Sequence, residues 1–181
     1  DLDAKALKYA HGVPQGDTHD WTVMAVDAEG DAGRWPSITL DPMGRPGIAY
    51  RVANFAGESQ VRFRQASAAA PEGPGDWGDA FVVHRVMIDP AAEPSQTYPE
   101  GTGLFGSQAR DPMGQPILAW YDRTEGRLYM SRFQEAGFSE PQLMAGWGHM
   151  DADRDGDMGA NVDVAVDGDG ALPEFIKRGQ Q

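Results

Sequence analysis

The chain has no cysteine, so it can form no disulfide, no thiolate metal site and no thiol nucleophile. No apolar run approaches the roughly 18 residues that cross a bilayer as a helix. Basic side chains are scarce: 15 Lys and Arg stand against 28 Asp and Glu, for a formal net charge of -13 over 181 residues. That balance argues against nucleic acid or membrane insertion, because phosphates would meet a negative field. Helical patterning is also thin. The best window, 3–10, holds one turn's worth of apolar spacing before Gly12 and Pro14 interrupt it. No P-loop, dinucleotide fingerprint or nucleophile elbow occurs. Asp1 is no initiator Met and opens no signal peptide, which leads us to expect a segment of a longer protein.

What is present can build a core. The hydrophobic fraction is 40%, with five Trp, five Tyr and seven Phe, so the acidity does not signal disorder. The 23 Gly and 13 Pro are spread along the chain, a distribution that suits many short strands joined by tight turns. The expected class is all-β.

Self-comparison gives the strongest pattern. Asp41-Pro42-Met43-Gly44-Arg45-Pro46 recurs as Asp111-Pro112-Met113-Gly114-Gln115-Pro116, and Asp167-Gly168-Asp169-Gly170 is a degenerate third copy. Each Asp is preceded, eight residues earlier, by Gly33, Gly103 or Gly159, and, four residues earlier, by Ser37, Ser107 or Asp163. Apolar stretches follow at 48–50, 117–120 and 175–176. Pro fixes φ at one turn position and Gly supplies a conformation other residues resist. The unit therefore reads as strand a (37–40), the Asp-x-x-Gly turn, strand b (47–51), a polar loop (53–59), strand c (61–64) and strand d (80–83) after a Pro/Gly-rich link (70–78). In the second unit, c is 128–132 and d is 142–145. Alternation with Val61 and Phe63 predicts that Arg62 and Arg64 point outward.

Four antiparallel strands at this period are the pattern of a β-propeller blade. The stretches Gly33 to Tyr50 and Gly103 to Trp120 resemble the divergent bacterial propeller repeat Gly-x-x-x-Ser-φ-x-x-Asp-x-x-Gly-x-Pro-x-φ-x-φ. The resemblance implies that 1–30 is the second half of a blade, 31–86 a blade, 87–101 an insertion loop, 102–150 a blade, and 151–181 an acidic loop with the first half of a blade. Half, two whole and half make about three blade equivalents, and closure needs at least four. The missing partner is then either further blades of the same parent protein or a second copy, two chains making a six-bladed C2 ring.

The run Asp151-Ala152-Asp153-Arg154-Asp155-Gly156-Asp157 fits Asp-x-Asp-x-Asp-Gly, in which alternating carboxylates converge on one hard cation and Gly permits the sharp turn. Asp151, Asp153 and Asp155 would give side-chain oxygens and Asp157 a backbone carbonyl. Gly159 and Val162 stand at positions nine and twelve, where an EF-hand has further ligands, although Asp163 is adjacent. The loop resembles the calcium loops between strands of integrin-type and pilus-tip propellers, which implies Ca2+. The plain alternative is a solvated turn, since Asp27-Ala28-Glu29-Gly30-Asp31 keeps the turn with fewer carboxylates.

Asp27, Glu29, Asp31, Asp89, Glu93, Glu100, Asp151, Asp153, Asp155 and Asp157 all fall on expected loops of one face, together with the 85–102 insertion, and read as a cation-binding rim. His11, His19, His84 and His149 form no metal pair, His149 alone adjoining the acidic loop. Arg51, Arg62, Arg64, Arg110, Arg127 and Arg132 offer a carboxylate clamp of the sialidase kind. Trp21, Trp35, Trp77, Trp120 and Trp147 suit packing between blades or sugar stacking. The expected function is a non-catalytic, calcium-supported binding, adhesion or scaffold module of a bacterial secreted, periplasmic or cell-surface protein with a protein or glycan ligand. The alternative is part of a sialidase- or glycosidase-like enzyme completed by other blades.

Overall fold

The structure, a computed structural model, describes residues 4–89, 100–146 and 162–166. It is all-β, apart from one short 3-10 turn at Pro74–Asp76. Strands β1 (Leu7–Gln15) and β2 (Thr18–Asp27) form a hairpin. Strands β3 (Ala32–Leu40), β4 (Pro46–Phe55), β5 (Glu58–Gln65) and β6 (Phe81–Met87) form a four-stranded antiparallel meander. Strands β7 (Leu104–Arg110), β8 (Pro116–Asp122) and β9 (Arg127–Gln134) form a second meander, whose outer edge is shared by β10 (Gly137–Phe138) and β11 (Gln142–Gly146). Among the described residues these three sheets are open, and none closes on itself.

The two Asp-Pro-Met-Gly turns have one construction. Asp41 Oδ1 accepts the Met43 and Arg45 N–H groups at 2.9 and 2.8 Å, and Asp111 Oδ1 accepts those of Met113 and Gln115 at the same distances. Gly44 and Gly114 close the turns from φ of 77° and 80°, a region that costs L side chains roughly 1–2 kcal/mol. The ladders that follow share one register: Ile38 faces Ile48 as Gln108 faces Leu118, and Ser37 faces Ala49 as Ser107 faces Ala119.

Strands run further than the sequence expectation. The segment 53–59, expected as a polar loop, is ladder on both sides of a tight turn at Ala56 and Gly57 (φ 53° and 83°). The weak helical window near the N-terminus yields to β1, which pairs with β2 over its whole length. The central strands β4 and β8 are buried on both faces because each sheet is packed from two sides. Leu7, Met24 and Val26 of the hairpin meet Ile48, Tyr50 and Trp77 in one core; Ala49, Val61, Phe63 and Val83 meet Leu118, Trp120 and Tyr129 in the next. A third core sets Ile117, Ala119 and Met130 against Val164.

Arg62 and Arg64 do not point outward to solvent. Arg62 is 3% exposed and lies between the hairpin and the first meander, its Nη1 donating to Asp27 Oδ2 at 3.0 Å and Glu29 Oε2 at 3.1 Å. Arg64 Nη1 donates to the Val26 carbonyl at 2.6 Å. Alternation assigned the correct side of β5, but that side is covered by a neighbouring layer.

Candidate functional site

The most polar buried region lies at one end of the contact between the two meanders, where the chain returns from the insertion that follows β6. Ile88 N–H donates to the Gly57 carbonyl at 3.0 Å and holds the start of the insertion. Its end is gripped from both sheets. Arg51 of β4 donates from Nε to the Thr102 carbonyl at 2.8 Å and from Nη2 to the Glu100 carbonyl. Ser59 Oγ donates to the same Thr102 carbonyl at 3.0 Å. From the other sheet, Arg123 N–H donates to the Gly101 carbonyl and Thr124 Oγ1 accepts the Gly101 N–H, both at 3.0 Å. Gly101 sits at φ 109°, and a Cβ there would fall 2.5 Å from Ser59. Only glycine permits that approach.

Thr102 is fully buried and connects two titratable groups. Its Oγ1 lies 2.9 Å from His84 Nδ1, and its hydroxyl adjoins the Asp122 carboxylate. Asp122 Oδ1 accepts the Glu125 N–H at 3.0 Å, while Oδ2, 4.0 Å from His84 Nδ1, has no hydrogen-bond partner. Burial raises the Asp122 carboxyl above the usual range, the nearby Glu125 charge adds to this, and the hydrogen bonds oppose it. Burial lowers His84, whose ring lies between Trp120 at 5.6 Å and Tyr129 at 5.2 Å, while the charges of Glu125 and Glu140 pull the other way. Burial also lowers the Arg51 guanidinium to about 10, helped by repulsion from Arg34 and opposed by Asp31 and Asp122. Because Thr102 and Asp122 are both inaccessible, this relay cannot attack a substrate from solvent. It positions the insertion root.

Beside it stand two aromatic residues in a conformation that aromatics avoid. Trp35 (φ 45°) and Phe105 (φ 53°) occupy matching places in the two units and pack ring to ring at 5.8 Å. Trp35 also precedes Pro36, which disfavours helical backbone. Such positions cost of order 1–3 kcal/mol each and persist where surroundings over-determine them. Here Arg51 lies 5.4 Å over the Trp35 ring.

The expected site residues are distributed as follows. Asp151, Asp153, Asp155 and Asp157, with Glu93, His149 and Trp147, lie outside the described residues. Asp163 is exposed, and its Oδ1 accepts a hydrogen bond from Ser107 Oγ at 3.0 Å. One member of the acidic rim is drawn into the core, and two others are paired with arginines. Asp27 is 4% exposed and bonded by Tyr50 at 2.6 Å and by Arg62; Glu29 also joins Arg62, and Asp31 Oδ2 pairs with Arg34 at 2.8 Å. Among the described residues no three His, Asp or Glu side chains converge as a metal centre requires. Five of the six arginines bond separate partners: Arg51 the insertion root, Arg62 Asp27, Arg64 Val26, Arg110 Thr39 and Gln65, Arg127 Glu125. Trp21 is 60% exposed on the hairpin rather than packed between layers.

Sequence reading passed over Thr102 and Asp122. A signal existed: the repeat places Asp122 opposite Val52, and both are fully buried. A carboxylate where the sister unit keeps valine is a departure that packing alone does not call for. No protein-family model and no curated protein matches the chain.

Proposed function

We propose that this chain is part of a β-propeller serving as a non-catalytic binding or scaffold module, supported by calcium at 151–157, in a bacterial secreted or surface protein. The observation that carries the propeller reading is the side-by-side order of the first strands. Ser37 Oγ of β3 accepts the Gln108 N–H of β7 at 3.2 Å, and Ser107 Oγ accepts the Val164 N–H at 3.1 Å. Meanders that touch first strand to first strand, with their later strands set outward, are the units of radial repetition. The insertion, clamped at both ends by rigid strands, is the segment best placed to present a ligand surface. The inaccessible relay at its root and the dispersal of the arginines favour binding over the glycosidase-like alternative.

The calcium part rests on donor chemistry: four carboxylates within seven residues suit a hard cation and repel one another without it. Affinity of the extracellular, millimolar kind gives roughly 1.4 kcal/mol of stabilisation at about 10 mM calcium. For a chain of this size that is a melting shift of about 3–6 °C. We expect this shift in a calorimetric titration at fixed ionic strength, and its loss in the Asp153→Asn/Asp155→Asn variant. Equal melting temperatures with and without calcium would remove the ion from this reading.

A further inference from the structure

A cavity of about 370 Å³ opens between the two meanders at the end that carries the Asp-Pro-Met-Gly turns. The insertion root lies at the other end of β5, beside Ser59. Both the size and the make-up suit a small molecule: such sites run from roughly 300 to 1,000 Å³, with a mostly apolar and aromatic lining and a few placed polar groups. Here Phe63, Phe81 and Phe133 supply the rings, and Arg45, Gln65 and Arg110 the polar groups. Phe81 is 39% exposed and meets Phe133 edge to face at 5.5 Å.

Each turn adds a methionine to this lining. Met43 and Met113 hold the same place in the two turns and are 71% and 81% exposed. The turns use their backbone N–H groups, not their side chains. Flexible, polarizable thioethers beside an apolar hollow can repack around a bound molecule.

Charge decides what that molecule is. Arg45 is matched, its Nε and Nη2 both lying 2.7 Å from Asp41 Oδ2. Arg110 is not. Its Nε donates to Thr39 Oγ1 at 3.0 Å, its Nη1 to the Gly114 carbonyl and its Nη2 to Gln65 Oε1, both at 2.8 Å. All three acceptors are neutral. Gly47 leaves room for this posture, since a Cβ there would fall 2.3 Å from Arg110 Nη2. Three of the five N–H donors of the guanidinium are used, and two remain on its planar fork. Burial lowers Arg110, with Asp41 and Asp111 opposing and Arg45 adding to the effect. One carboxylate and two guanidiniums line the cavity, a local charge of +1 on a chain of -13. A single negative charge balances that; a second would face Asp41.

We propose that this cavity binds a small organic monocarboxylate with an apolar, ring-sized body. Its carboxylate takes the remaining N–H groups of Arg110, and its body lies among Phe81, Phe133 and the two methionines. The site is independent of calcium and of how the sheets are completed, because its residues all lie within 39–133.

The probe is 3-phenylpropionate and the control its neutral amide, both titrated calorimetrically into the unaltered chain. The acid should bind with a Kd of about 1 mM or tighter, within reach of a ligand of its size, and the amide at least about 10-fold more weakly. With methionine methyls labelled for NMR, the acid should shift the Met43 and Met113 signals and leave those of the buried Met24 and Met130 in place. Arg110→Gln should weaken the acid about 10-fold and spare the amide. Met43→Ser/Met113→Ser, at two exposed positions, should weaken acid and amide alike. Equal binding of acid and amide to the unaltered chain would overturn the assignment of an anion. No binding at about 20 mM acid, or binding that shifts neither Met43 nor Met113, would overturn the site itself.

Discussion

Asp27 and Asp122 are both buried carboxylates, but their environments act on them in opposite directions. At Asp27, burial alone would push the carboxyl up; the Tyr50 hydroxyl, the Glu29 N–H and the bonds and charge of Arg62 outweigh it and hold it below the usual range. Its contribution to stability is therefore present above the unfolded value of about 3.9 and is lost as pH falls through the lower folded value. Asp122 lies on the other side of the balance. Its raised folded value means that the protonated form stabilises at low pH, and that this gain is lost as pH rises through the folded value. Asp27→Asn should cost about 3 kcal/mol at pH 7, the low end for breaking a buried pair because Glu29 still faces Arg62. Asp122→Asn should instead stabilise by about 0.5–2 kcal/mol at pH 7, with a smaller gain at pH 4. Denaturant midpoints at the two pH values test both, and destabilisation by Asp122→Asn at pH 7 would show that its charge supports Arg51 more than it strains the core.

At the level of elements, the two Asp-Pro-Met-Gly turns form a natural pair for comparison. A Cβ on Gly44 would meet only Ala69, at 3.6 Å, whereas one on Gly114 would fall 2.3 Å from Pro42 Cδ. Gly44→Ala should cost about 1–2 kcal/mol for its left-handed backbone alone. Gly114→Ala should cost a further 1–3 kcal/mol or so from overpacking, and adding Pro42→Ala should recover that excess. If the two single variants melt alike, the packing of one turn on the other is wrong. The turns were legible in sequence because their chemistry is local: Asp, Pro and Gly act within five residues. Strands β4 and β8 were legible from their apolar runs. The burial of Arg62 was not, because β5 shows the alternation of a strand with one wet face, and only the hairpin's position covers that face. The Thr102 relay was hidden for the same reason. Its members come from β6, the insertion root and β8, and no spacing in the chain joins them.

Across the whole molecule, the charge of -13 is a destabilising field that no local pairing removes. Raising sodium chloride from about 10 to 150 mM shortens the screening length from roughly 30 to 8 Å. The melting temperature should therefore rise with salt in a calorimetric scan, although the buried Asp27–Arg62 pair is little affected; a fall would mean that attraction between surface charges outweighs repulsion. Such screening is also why calcium has to be added at constant ionic strength. The double clamp on the insertion has a different kind of consequence. The fold is fastened at Gly57–Ile88 and again at Arg51, Thr102 and Thr124, so the sheets do not depend on what is spliced between those fastenings. Closing a flexible stretch twice as long costs only about 0.6 kcal/mol more. On the binding reading proposed above, the position would serve as a cassette whose length and content can change while the strands that hold its two ends stay the same.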